Sequence, residues 1–104
     1  MKRSLNNDIS DSVEALCEAL LKLEDKQEVY NFLKDLCTPQ ELSAIAERWR
    51  VCQLLHQGNL SYRDINQVTG ASLMTIGRVA RFLKDEPYKG YQNLLAKMKR
   101  SQNE

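Results

Sequence analysis

The chain has 104 residues, 42% of them hydrophobic and 28% charged, with a net charge of +1, which is the size of one globular domain and far from the composition of a disordered segment. No apolar run approaches the ~18 residues needed to cross a bilayer. Basic Met1-Lys2-Arg3-Ser4-Leu5 has no apolar stretch behind it, so the expectation is a cytoplasmic chain with no secretory signal and no membrane partner.

Apolar residues recur at helical spacing almost throughout, which predicts an all-α, six-helix chain forming a single domain over 1–104. Val13, Leu16, Cys17 and Leu20 mark a first helix, with Ser10, Asp11 and Ser12 as candidate N-caps. Charged Glu24-Asp25-Lys26 separates it from a second helix carrying Val29, Phe32, Leu33 and Leu36. Thr38-Pro39-Gln40-Glu41 reads as a capping box with proline at the first helical position. It opens a third helix over about residues 39–57, whose stripe is Leu42, Ile45, Ala46 and Trp49 and whose stop is Gly58.

Ser61-Tyr62-Arg63-Asp64 is a second capping box, opening a short helix that ends near Val68. Thr69-Gly70-Ala71-Ser72 is a tight turn, in which glycine supplies positive φ and Ser72 caps the next helix. That helix buries Ile76, Val79, Ala80 and Leu83 and stops at Asp85-Glu86-Pro87. Tyr91, Leu94, Leu95 and Met98 mark a short sixth helix, followed by a polar tail at about 100–104 expected to fray.

The three cysteines, Cys17, Cys37 and Cys52, match no CxxC zinc spacing and read as core residues on apolar stripes. Cys52 and His56 stand four apart on one helix, but two ligands leave a tetrahedral site without its third and fourth. No metal or cofactor is expected. An enzyme is not expected either: there is no glycine-rich phosphate loop, and His56 is the only histidine.

Charge is distributed unevenly. Residues 1–60 hold seven Lys/Arg against ten Asp/Glu, whereas residues 61–104 hold eight against four, which points to a polyanion-binding surface in the second half. Residues 61–84 read as a capped helix, a glycine turn and a second capped helix, the layout in which the second helix enters the DNA major groove. With its apolar stripe inward, that helix presents Met74, Thr75, Arg78 and Arg81 outward, and Tyr62, Arg63 and Asn66 project the same way from the first. Arginines suit phosphates and guanine edges, and threonine suits a phosphate or a thymine methyl. Gly77 would let the backbone come close to DNA. A helical hairpin with a solvated basic face is the plainer reading of the same pattern.

Phe32-Leu33-Lys34-Asp35-Leu36-Cys37-Thr38-Pro39-Gln40-Glu41-Leu42 resembles the characteristic segment of the Trp repressor family. The similarity runs in register through Arg48-Trp49-Arg50-Val51, Leu54-Leu55, Gly58, Leu60-Ser61-Tyr62-Arg63, Gly70-Ala71, Thr75-Ile76 and Arg78 to Pro87. It covers about residues 30–95 without a gap and is nearest in character to the YerC/YecD branch of that family.

The resemblance implies an intertwined homodimer, with two recognition helices roughly 34–36 Å apart on a palindromic operator in double-stranded DNA. The chain would then be nucleoid-associated when bound. The resemblance also implies DNA contacts at Arg63, Asn66, Leu73, Met74 and Thr75, and it places Thr38, Arg48 and Arg78 where the family holds tryptophan as co-repressor. Val79 stands in place of a glycine and Phe82 in place of a serine at that pocket, so the expectation is a pocket plugged by its own side chains and no response to tryptophan. The rival function is a helical dimerisation module that does not touch DNA.

Overall fold

The computed structural model describes residues 9–103, and every regular element among them is an α-helix: α1 (Ile9–Leu20), α2 (Lys26–Leu36), α3 (Pro39–Gln57), α4 (Tyr62–Thr69), α5 (Leu73–Lys84) and α6 (Gly90–Asn103). The six helices are those the periodicity predicts. The chain's contacts gather into two compact units, one ending at Pro39 and one beginning at Gln40.

The first unit holds α1 and α2, neither of which has a buried residue. Ser10, Asp11 and Ser12 lie within the first turn of α1 instead of capping it, because Ile9 extends the stripe of Val13, Leu16 and Leu20 by one turn. The residue before Ile9, and with it the basic start of the chain, lies outside the described residues. Asp25 does more than separate the helices. Its carboxylate accepts the Glu28 N–H at 2.9 Å, while the Glu28 carboxylate accepts the Glu24 N–H at 3.0 Å, so the charged linker is the N-cap of α2.

The second unit has the core. Val51 and Cys52 from α3, Ile65 from α4, Ala71 from the turn, Ile76, Val79 and Leu83 from α5 and Leu95 from α6 pack together, with Trp49, Leu54, Leu55, Leu60 and Tyr91 around them. The stripe of α5 is buried as its spacing predicts. In α3 the outcome differs. Leu42 and Trp49 are half-buried and Ile45 and Ala46 exposed, while Val51 and Cys52 enter the core. At 3.6 residues per turn, Val51 and Leu55 stand on the side away from the Leu42–Trp49 stripe, so α3 is apolar on two faces and this unit covers only one of them fully. Gly58 follows α3 at φ 80°, in the left-handed region. The last helix runs on to Asn103, past the point where its polar composition suggested fraying, and Glu104 lies outside the described residues.

The cysteines separate by environment: Cys17 is exposed, Cys37 half-buried and Cys52 buried. Only Cys52 is a core residue, packed with Val51, Ile65, Ile76 and Val79. Burial pushes the Cys52 thiol from 9.0 up to about 11. The folded chain therefore keeps this proton where the unfolded chain releases it, so the contribution of the neutral thiol to stability is complete below pH 9.0 and is lost as pH rises toward about 11. We expect the denaturation midpoint to fall over that interval by more than in Cys52→Ala. We also expect Cys52 to resist alkylation in the native protein and react in denaturant; rapid native labelling of Cys52 would contradict the assignment.

Candidate nucleic-acid interface

The interface is built on the α4–turn–α5 segment, and its geometry is fixed by short polar contacts. The Ser61 hydroxyl accepts the Asp64 N–H at 3.0 Å and the Asp64 carboxylate accepts the Ser61 N–H at 3.2 Å, closing the predicted capping box. Caps of this kind are worth about 1 kcal/mol. At the other end Gly70 adopts φ 79°, ψ −3°, and its N–H donates to the Asn66 carbonyl at 2.8 Å. The Thr69 hydroxyl donates to the Ile65 carbonyl at 2.7 Å and accepts the Ala71 N–H at 3.0 Å. Ser72 then caps α5, accepting the Thr75 N–H at 3.1 Å and donating its hydroxyl to Thr75 Oγ1 at 3.1 Å.

With Ile65, Ala71, Ile76 and Val79 buried beneath this turn, the outward residues follow. Tyr62, Arg63, Leu73, Met74, Arg78 and Arg81 are exposed, Met74 at 87%. Thr75 and Asn66 are half-buried. Asn66 has a role the spacing did not show: its side-chain amide donates to the Ala71 carbonyl at 2.7 Å, so it braces the turn. The signal available in the sequence was its place four residues before Gly70, within reach of a turn carbonyl.

The two outward arginines of α5 also have intramolecular partners. The Arg78 guanidinium carbon lies 4.3 Å from the Phe82 ring centroid and that of Arg81 lies 5.0 Å from it. Arg81 Nε is 3.4 Å from a Glu86 carboxylate oxygen, and Phe82 stacks on Tyr88 with centroids 6.2 Å apart.

Behind this cluster is a surface cleft of about 320 Å³ lined by Arg48, Arg78, Val79, Phe82, Tyr88, Gly90 and Tyr91. It brings together Arg48, Arg78, Val79 and Phe82 from the expected effector site. Thr38 belongs to the first unit and is not among the lining residues. Val79 and Phe82 form part of the wall without filling the space, so the site is narrowed and not closed. Tyr88 and Tyr91 complete it. Their spacing of three around Gly90 after the Pro87 stop was the available cue, read only as the start of α6. The Tyr91 hydroxyl is raised above the usual tyrosine range, chiefly by burial and then by Cys52, against the opposing pull of Arg48 and Arg78. No three metal-ligating side chains come together among the described residues.

The profile of the Trp repressor protein family matches residues 11–99. The chain belongs to the Trp repressor family. It is 42% identical to the uncharacterized protein YerC of Bacillus subtilis (strain 168) over 71 residues, 68% of this chain and 67% of that one. It is 41% identical to the Trp operon repressor homolog of Aliivibrio salmonicida (strain LFI1238) over 54 residues, 52% of this chain and 50% of the relative. A TrpR-like protein from Eubacterium eligens ATCC 27750 superposes with a TM-score of 0.77 at 36% identity, covering 85% of this chain and 89% of its own. The Trp repressor family is one of transcription regulators.

The bracing role of Asn66 is testable. Asn66→Ala leaves the Ala71 carbonyl without this donor and is expected to lower unfolding free energy by about 1 kcal/mol, read by urea denaturation. Unchanged stability would mean that the bond does not hold the turn.

Proposed function

We propose that the chain is a sequence-specific DNA-binding regulator, a repressor in mode, which acts as a homodimer on a palindromic operator. The observation that carries this reading is the outward face of a fully capped helix-turn-helix, where Arg63, Met74, Arg78 and Arg81 stand exposed together above a rigid core. Arg63 and Arg78 fit phosphates or guanine edges, and Leu73 and Met74 offer apolar contact to thymine methyls. Asn66 acts mainly through the turn it braces. Gly77 fits a close backbone approach, since a Cβ there would meet nothing of the protein within 4 Å. The low net charge does not oppose this reading, because the positive charge is concentrated in residues 61–104.

A dimer is supported by the apolar surface the subunit leaves open. Ile9, Val13, Leu16, Leu20, Leu21, Val29 and Leu36 are all at least 36% exposed, and α1 and α2 bury nothing. A soluble monomer rarely leaves the apolar stripes of two helices open in this way, and a two-fold partner matches a palindromic site. A dimerisation module without DNA contact would share this surface but not a phosphate-dependent affinity for duplex. Binding to duplex enriched from random sequence is expected to weaken linearly as log K against log[salt]. Arg63→Ala is expected to cost about 1–3 kcal/mol and to relax the sequence preference. Equal binding by parent and Arg63→Ala would remove the α4 contact from the account.

We further propose that DNA binding does not require tryptophan. Val79 is 1% exposed and occupies the wall of the cleft, and the Phe82 ring already covers a face of Arg78 at 4.3 Å. An aromatic ligand stacking on that face of Arg78 would have to displace the ring. The remaining volume, about 320 Å³, is at the small end of ligand pockets, roughly 300–1,000 Å³, so the case against tryptophan rests on the side chains of Val79 and Phe82 and not on volume. Calorimetry with L-tryptophan is expected to show no micromolar binding and no change in DNA affinity. Micromolar binding that strengthens the DNA complex would overturn this part of the proposal.

A further inference from the structure

We propose that Phe82 is a positioning residue for DNA binding: its ring holds the Arg78 and Arg81 guanidinium groups ready for the phosphate backbone. This inference rests on the DNA-binding reading above and adds to it a residue that would not itself touch DNA.

The geometry starts from helical spacing. Arg78 and Phe82 are four residues apart on α5, so their side chains meet on one face, and the Arg78 guanidinium lies 4.3 Å from the ring centroid. Arg81 precedes Phe82 in the chain and brings a second guanidinium to 5.0 Å from the same ring. Both distances lie within the ~6 Å over which an aromatic face attracts a cation. The ring is itself held. Phe82 is half-buried, and Tyr88 stacks against it at 6.2 Å with the planes 12° apart. Glu86 also pairs with Arg81, at 3.4 Å.

Two exposed arginines side by side on a helix repel each other and sample many rotamers. Ordering them costs affinity when a phosphate must do it on binding. A shared aromatic ring offsets the repulsion without neutralising either charge, and the guanidinium edges keep their N–H donors for phosphate while the face rests on the ring. A carboxylate in the position of Phe82 would also order the arginines, but it would compete with the phosphates. Phe82 does not compete.

The test uses the full-length protein and the duplex enriched from random sequence, with parent binding established first. Phe82→Leu keeps an apolar side chain and loses the ring face, whereas Phe82→Tyr keeps the ring. Phe82→Leu is expected to weaken DNA binding by about 5- to 20-fold at unchanged melting temperature, with a shallower salt dependence, whereas Phe82→Tyr binds as the parent does. Arg78→Ala is expected to cost less in the Phe82→Leu background than in the parent, since the two act as a unit. The proposal is overturned by parent-like affinity of Phe82→Leu, by equal losses in the leucine and tyrosine variants, or by additive effects of Arg78 and Phe82. If Phe82→Leu folds poorly, NMR of the free parent decides: Arg78 side-chain protons shifted upfield by the ring support the role, and random-coil shifts overturn it. A parent that binds no duplex overturns the DNA-binding reading and this inference with it. Parent binding with indifferent Phe82 variants overturns this inference alone.

Discussion

The arrangement of the second unit depends on one turn. Between α4 and α5 the backbone must reverse within three residues, and it does so through Gly70 at φ 79°, a conformation that costs an ordinary L-residue roughly 1–2 kcal/mol. A Cβ at Gly70 would meet nothing within 4 Å, so the demand for glycine comes from the backbone conformation and not from crowding. Thr69 and Asn66 then tie the turn to the end of α4, and Ser72 starts α5 at a defined point. Because the turn fixes where α5 begins, it also fixes which side of α5 faces the core. Once Ile76, Val79, Ala80 and Leu83 face inward, Met74, Arg78 and Arg81 have only the outside left to them.

That outward face is not a loose set of charges. Arg78, Phe82, Arg81, Glu86 and Tyr88 form a connected cluster at the C-terminal end of α5, while Leu73 and Met74 at its N-terminal end are exposed. The two ends suit different tasks. Flexible apolar tips can follow base edges, whereas phosphate contacts gain from charge that is already ordered. The cleft beneath the cluster joins Arg78 to Tyr91 and Arg48, so a small molecule entering it would disturb a side chain proposed to face DNA.

Much of this was legible in the chain itself. Each cap in the second half consists of neighbouring residues, so Ser61 with Asp64, Gly70 and Ser72 could be read directly, and the α5 stripe is apolar on a single face. Reading failed where the answer depends on distant residues. The stripe of α3 was assigned from Leu42 to Trp49, yet Val51 on its other side and Cys52 at its edge fill the core, because spacing cannot say which of two apolar faces meets α5 and α6. Cys17 was placed inside because its helix is amphipathic, yet it is exposed. The expectation of a filled effector pocket rested on side-chain volume at Val79 and Phe82, yet a cleft of about 320 Å³ stays open beside them. Volume alone did not show that Phe82 turns toward Arg78 and Tyr88 and leaves space beside it.

The central claim is that two copies of this helix-turn-helix read successive major grooves. Hydroxyl-radical footprinting on duplex enriched from random sequence tests it most directly. The account predicts two protected patches related by a dyad, with centres about one helical turn, roughly 34–36 Å, apart, and a complex mass of two chains per duplex. A single patch bound by one chain, or no protection at salt concentrations where the protein is folded, would contradict it.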